Sequence, residues 1–213
     1  LSQAYGARYN SNASLEMVAL GETSLNILSG TYGYSFAAID AQLKRQLIAD
    51  RAAWPNTAVR LNANYYWSST NNAEIISLVN AACAAKVCIG GPDVLPNETI
   101  RANQAFTGAY AGSTDWRGII PFVAEVQSPE LGGKEGTYTN EQIYLAAMQG
   151  ISTASGGATG SGSAVFRATQ PQYFVWYYNT WSGGDEQKWA TGTLPFIRSI
   201  DGTVYSTTYP GGY

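Results

Sequence analysis

Histidine is missing from the sequence altogether. That absence removes Ser-His-Asp triads, Cys-His dyads and His-ligated zinc from the chemistry the chain can perform by itself. Thiols are nearly absent too. Cys83 and Cys88 are the only two, a poor zinc set without histidine, and their spacing leaves open both a disulfide and a packed pair of free thiols. Charge is scarce at 13%, with 12 basic residues spread thinly against 15 acidic ones for a net charge of -3. Nucleic acid and anionic membrane surfaces call for clustered positive charge, so neither is an expected partner. No apolar run approaches the roughly 18 residues of a membrane span. Leu1-Ser2-Gln3 has neither the methionine nor the charged start of a leader, the pattern expected of a mature or shortened chain.

What the chain does have is enough apolar content for one sizeable core: 45% of its 213 residues are hydrophobic. We therefore expect a single domain over residues 1–213. Its 15 Tyr and 6 Trp, set among Asn, Ser, Thr and Gly, give a surface of aromatic rings and neutral hydrogen-bonding groups. That composition suits an extracellular or secreted protein that handles sugars. Asn12-Ala13-Ser14 and Asn97-Glu98-Thr99 match the glycosylation sequon, a short pattern that occurs by chance as well.

Strand and helix patterns alternate along the chain. Residues 15–20 read as a short strand leading into Gly21-Glu22. A helix is signalled from the Ser35 cap, with Phe36, Ile39, Leu43, Leu47 and Ile48 at helical spacing, and it stops before Pro55. Residues 57–66 read as a strand ending in a polar and aromatic run, 72–85 as a helix, and 87–89 as a short buried strand ending in Gly90-Gly91-Pro92-Asp93. A weaker helix follows over 97–109, then the apolar strand 119–126, a helix over 140–151, a strand over 173–178 and a terminal helix over 185–197. Residues 155–163 are a Gly/Ser loop too short to link domains. Five consecutive β-α units imply an α/β fold with a parallel sheet and right-handed crossovers.

The strand 119–126 is apolar except for Glu125, followed by Gln127. A carboxylate in such a setting is costly unless paired or used. In parallel α/β folds ligands gather at the C-terminal edge of the strands. Glu22, Asn64, Tyr65, Tyr66, Asp93, Glu125, Gln127 and Trp176 all follow or end strands, and so are expected on one rim. Two carboxylates among aromatics suit glycosidic hydrolysis, one attacking or stabilising the anomeric carbon while the other protonates the leaving oxygen. Each residue also has a plainer use. Glu22 could cap a turn, Glu125 could pair with Arg60 or Arg117, Trp176 could be core, and Asp93 could be a turn residue. Trp67, Trp116, Trp181 and Trp189 sit beside polar loop residues and are candidate exposed platforms.

The order Gly21-Glu22 after one strand, Ala124-Glu125 three strands later and Trp176 on the next resembles strands four to eight of the (β/α)8 retaining glycoside hydrolases, the cellulase and β-glycosidase superfamily. The resemblance implies an incomplete barrel in which Glu22 is the acid/base, Glu125 the nucleophile and Trp176 a sugar platform. It also implies that Asn64, Tyr65, Tyr66, Asp93 and Gln127 bind substrate, with no metal and no cofactor. Gly21 stands where that family usually has an asparagine, and a complete barrel is typically ~250 residues. A β-linked polysaccharide is the implied substrate, and a second chain or a preceding segment would supply the other strands. The other expectation is a non-catalytic carbohydrate-binding or extracellular structural protein on the same half-barrel.

Overall fold

The computed structural model describes residues 1–22, 35–63, 72–91, 101–126, 139–149, 168–176 and 189–201. The chain forms α1 (Ser2–Tyr9), β1 (Met17–Glu22), α2 (Phe36–Ala53), β2 (Ala58–Asn62), α3 (Asn72–Ala84), β3 (Cys88–Gly91), α4 (Arg101–Phe106), β4 (Phe122–Val126), α5 (Asn140–Gln149) and β5 (Tyr173–Trp176). A π-helical turn (Trp189–Thr193) then leads into α6 (Leu194–Asp201). The strands lie in the order β1-β2-β3-β4-β5, every neighbouring pair parallel. The architecture is α/β, a curled half-barrel of five parallel strands alternating with helices.

Alternation along the strands sorts residues onto two faces, because successive side chains point to opposite sides. Val59, Leu61, Ile89, Phe122, Ala124 and Val126 form the helix-facing side and share one buried cluster with Ile75, Leu78 and Val79 of α3, Ala102, Ala105 and Phe106 of α4, and Ile143 of α5. Phe106 and Phe122 meet with ring centroids 5.0 Å apart. The other face carries Arg60, Asn62, Cys88, Gly90, Val123 and Glu125.

Several boundaries differ from the sequence pattern for local reasons. The strand expected over 119–126 begins only at Phe122, because the N–H groups of Ile119 and Ile120 both donate to the Trp116 carbonyl at 3.0 Å and close a turn. The helix expected over 97–109 ends at Phe106, where Thr107 leaves to bridge Asp115. The terminal helix continues beyond the expected 197, to Asp201. Helix α1 has no sequence signal. Its first residue is uncapped, and it is held instead by tertiary contacts: Trp54 Nε1 donates to Ser2 Oγ at 3.0 Å and the Asn56 N–H to Asn10 Oδ1 at 2.8 Å. Gly6 allows this seating, since a Cβ there would lie 2.1 Å from the Ala53 carbonyl oxygen. The α2 start is as expected, with Ser35 Oγ accepting from the Ala38 N–H at 3.2 Å. No described helix is long and apolar enough to cross a membrane.

Cys83 and Cys88 are free and buried. Burial, and then the nearness of Cys88, pushes the Cys83 thiol far up. Burial likewise raises Cys88 from 9.0 to about 11, partly offset by Arg51 and Arg60. Both thiols should therefore resist alkylation in the native protein at pH 8 and react fully after unfolding, as counted by mass spectrometry. A thiol whose folded value is raised stabilises the fold below its unfolded value and loses that contribution as pH rises through the folded one. For Cys88 the window runs from 9.0 to about 11. Replacing Cys88 by Ala should flatten the fall of the urea midpoint across that window.

Candidate active site

Glu125 is the fourth residue of β4 and is completely buried. It does not stand alone there. Glu125 Oε1 forms an ion pair with Arg60 Nη2, their side chains 0% and 9% exposed respectively. Asn62 Nδ2 donates to Glu125 Oε2 at 3.2 Å. One strand, β2, thus supplies a partner to each carboxylate oxygen, from positions two residues apart that share a face. Arg117, the other expected partner, is committed elsewhere. Its Nε donates to Asp115 Oδ1 at 2.8 Å, its Nη1 donates to the Ala168 carbonyl at 3.2 Å, and the Asp115 hydrogen bond holds its guanidinium above the usual value.

The register shows how β2 reaches β4 across the strand between them. Asn62 is in register with Gly90 and Gly90 with Val123, while Arg60 is in register with Cys88. Gly90 therefore occupies the inward position beside Arg60's path. A Cβ on Gly90 would lie 2.8 Å from Arg60 Cδ, so the arginine stem fills the space that any larger residue would need. The contact with Glu125 Oε1 is one of charge: that oxygen accepts no aligned hydrogen bond among the described residues, and neither Arg60 Nε nor Asn62 Oδ1 has a hydrogen-bond partner there. Buried donors and acceptors of this kind ordinarily have partners.

A bulge in β1 brings Glu22 to the same row. Ala19 is in register with Arg60 but Glu22 with Asn62, three residues of β1 set against two of β2 (22 minus 19 against 62 minus 60). Without the extra residue, Gly21 would be the partner of Asn62. Bulges re-aim a strand near its end and are common beside active sites. Asn62 consequently connects the two candidates, paired through its backbone row with Glu22 and through its amide with Glu125. The side chain of Glu22, together with Asn64, Tyr65, Tyr66, Asp93 and Gln127, lies outside the described residues.

Trp176 is placed differently from the expected platform. Its register partner is Val126, whereas that of Glu125 is Val175, so Trp176 stands on the opposite face from the carboxylate. There it stacks on Phe174 with centroids 5.8 Å apart and meets Phe196 of α6 edge-on at 5.6 Å. Trp176 is half-buried there and packs against the edge of the core. Trp116, another candidate platform, donates from Nε1 to Asn80 Oδ1 at 2.9 Å and packs against the core. The aromatic position that does share a face with Val123 and Glu125 is Tyr173. Among the described residues no cluster of three or more metal-ligating side chains occurs. The grooves around α1 and α2 are lined by residues such as Arg8, Asn12, Ile48, Pro55 and Lys86, and Glu125 is not in their walls.

Comparison with protein-family models, with curated proteins and with solved structures finds no match. The site is therefore characterised by its geometry.

Breaking a buried pair from one side leaves an uncompensated charge and typically costs about 3–5 kcal/mol. Arg60→Met should lower unfolding free energy by that amount in urea titration. Combining it with Glu125→Gln should recover part of the loss, because the second change removes the stranded carboxylate.

Proposed function

We propose that the chain is the strand-four-to-eight portion of a (β/α)8 retaining glycoside hydrolase acting on a β-linked polysaccharide outside the cell. The observation that carries this reading is the placement of Glu125: a carboxylate near the C-terminal end of an otherwise apolar strand, with Oε1 against Arg60 and Oε2 accepting from Asn62, both on β2. In this reading a Glu125 oxygen attacks the anomeric carbon as the glycosidic C–O bond breaks, and Glu22 gives its proton to the leaving oxygen. Glu22 then takes a proton from water, whose oxygen bonds to the anomeric carbon while Glu125 departs as carboxylate. Glu22 and Glu125 are three strand spacings apart, about 14 Å along a flat sheet. Curling shortens that chord, and a retaining mechanism requires the two carboxyl groups to come to roughly 5–5.5 Å. Among the described residues no strand pairs with the outer edges of β1 and β5, and in this reading strands of a further segment or a second chain would pair there to close the barrel.

A second reading has its own observation. Glu125 is 0% exposed and ion-paired with Arg60, which also describes a structural strut between β2 and β4. The protein would then be a non-catalytic carbohydrate-binding or extracellular assembly protein.

One pair of measurements separates the two. With an activated aryl β-glycoside, the wild-type chain should release the aryl alcohol and form a first sugar product of retained configuration by proton NMR. Glu125→Gln should abolish turnover while the circular dichroism spectrum is kept. Unchanged turnover in that variant excludes Glu125 as nucleophile, and an inactive wild-type chain that still binds polysaccharide supports the second reading.

A further inference from the structure

We infer that Arg60 is the positioning residue for Glu125 and that Gly90 is the gap in the sheet that lets it act. The inference rests on Glu125 being the nucleophile. Arg60 is rooted on β2 and Glu125 on β4, so the guanidinium must cross β3, about 10 Å of sheet. The inward residues of β3 along that path are Cys88 and Gly90. A Cβ on Gly90 would lie 2.8 Å from Arg60 Cδ, 3.1 Å from Nε and 3.3 Å from Cγ. Three consecutive atoms of the arginine stem therefore rest over the glycine, and the stem has no room to lie there beside any side chain.

This arrangement fixes the carboxylate plane. Arg60 holds Oε1, and Asn62, two residues further along the same strand, donates to Oε2. Displacement at the anomeric carbon needs one oxygen lone pair aimed along the reaction axis, and a misplacement of ~1 Å can cost ~100-fold in rate. Lysine is no substitute, because its ammonium is a compact, strongly hydrated point charge on a different stem, whereas the flat, weakly hydrated guanidinium reaches Oε1 through Nη2 with its Cγ, Cδ and Nε lying over Gly90. Arg60 is only 8% exposed, so its reach is set by packing rather than by solvent. It touches no reacting atom in this scheme and acts through Glu125.

The test compares Arg60→Lys, Arg60→Ala, Gly90→Ala and Glu125→Gln in the full chain, with an activated aryl β-glycoside as probe. Arg60→Lys should lose ~100-fold in kcat with little change in KM, since it disturbs the attacking group and not substrate binding. Gly90→Ala, which keeps every charge, should show a loss of the same order. Guanidinium chloride at millimolar concentration should restore part of the activity of Arg60→Ala but none to Gly90→Ala, whose displaced arginine still occupies the site. Rescue of kcat with no change in the urea midpoint or circular dichroism spectrum of Arg60→Ala on adding guanidinium at that concentration would not follow from a purely structural role. Wild-type kcat in Arg60→Lys or Gly90→Ala, with Glu125→Gln inactive, overturns the positioning role alone. Failure of guanidinium to rescue a folded Arg60→Ala overturns it as well. Wild-type turnover in Glu125→Gln removes the nucleophile assignment, and this inference with it.

Discussion

The ion pair between Arg60 and Glu125 is the constraint around which the inner face of the sheet is arranged. A carboxylate buried to 0% exposure is tolerated only with a compensating charge close by. Neither adjacent strand offers one on that face among the described residues: β3 has Cys88 and Gly90 there, and β5 has Tyr173 and Val175. The compensation comes from one strand further away. That requirement accounts for an arginine inside a strand otherwise made of Ala58, Val59, Leu61 and Asn62, and for a glycine where β-propensity disfavours one. Asn62 then serves the carboxylate's second oxygen and sits opposite Glu22 in the backbone row.

Much of the fold was legible because the physics that builds it is local and periodic. The Ser35 cap and the spacing of Ile39, Leu43 and Leu47 specify α2, and the short β-branched runs specify β2, β3 and β4. A repeated strand-helix order leaves a parallel sheet as the natural outcome. Helix α1 was not legible, since its stability comes from Trp54 and Asn56, far along the chain, and from the fit of Gly6 against Ala53. No local propensity encodes such contacts.

The site was legible in part. Glu125 stands out as a charge in an apolar strand, and Arg60 was one of two arginines suited to pair with it. Which of the two does so depends on Asp115 engaging Arg117, a fact of three-dimensional placement. The face occupied by Trp176 depends on the register between β4 and β5. Sliding that register by one residue would exchange Trp176 for Val175 beside Glu125, and no pattern within either strand decides it. The bulge that substitutes Glu22 for Gly21 in the row of Asn62 is hidden for the same reason. A sequence displays the alternation within each strand, whereas the phase between strands is set by their pairing.

The gap at Gly90 bears on the order in which this chain can change over descent. While Arg60 lies across β3, every substitution at Gly90 meets the arginine stem, so position 90 is closed to variation. If Arg60 is first exchanged for a short residue, the space opens and a larger residue can enter at 90. Once it has, arginine cannot return to position 60 without clashing. The two positions behave as a ratchet in which the sequence of events matters more than either residue's own preference. Lineages that have lost the arginine and filled the gap would have no single-step way back to the arrangement around Glu125.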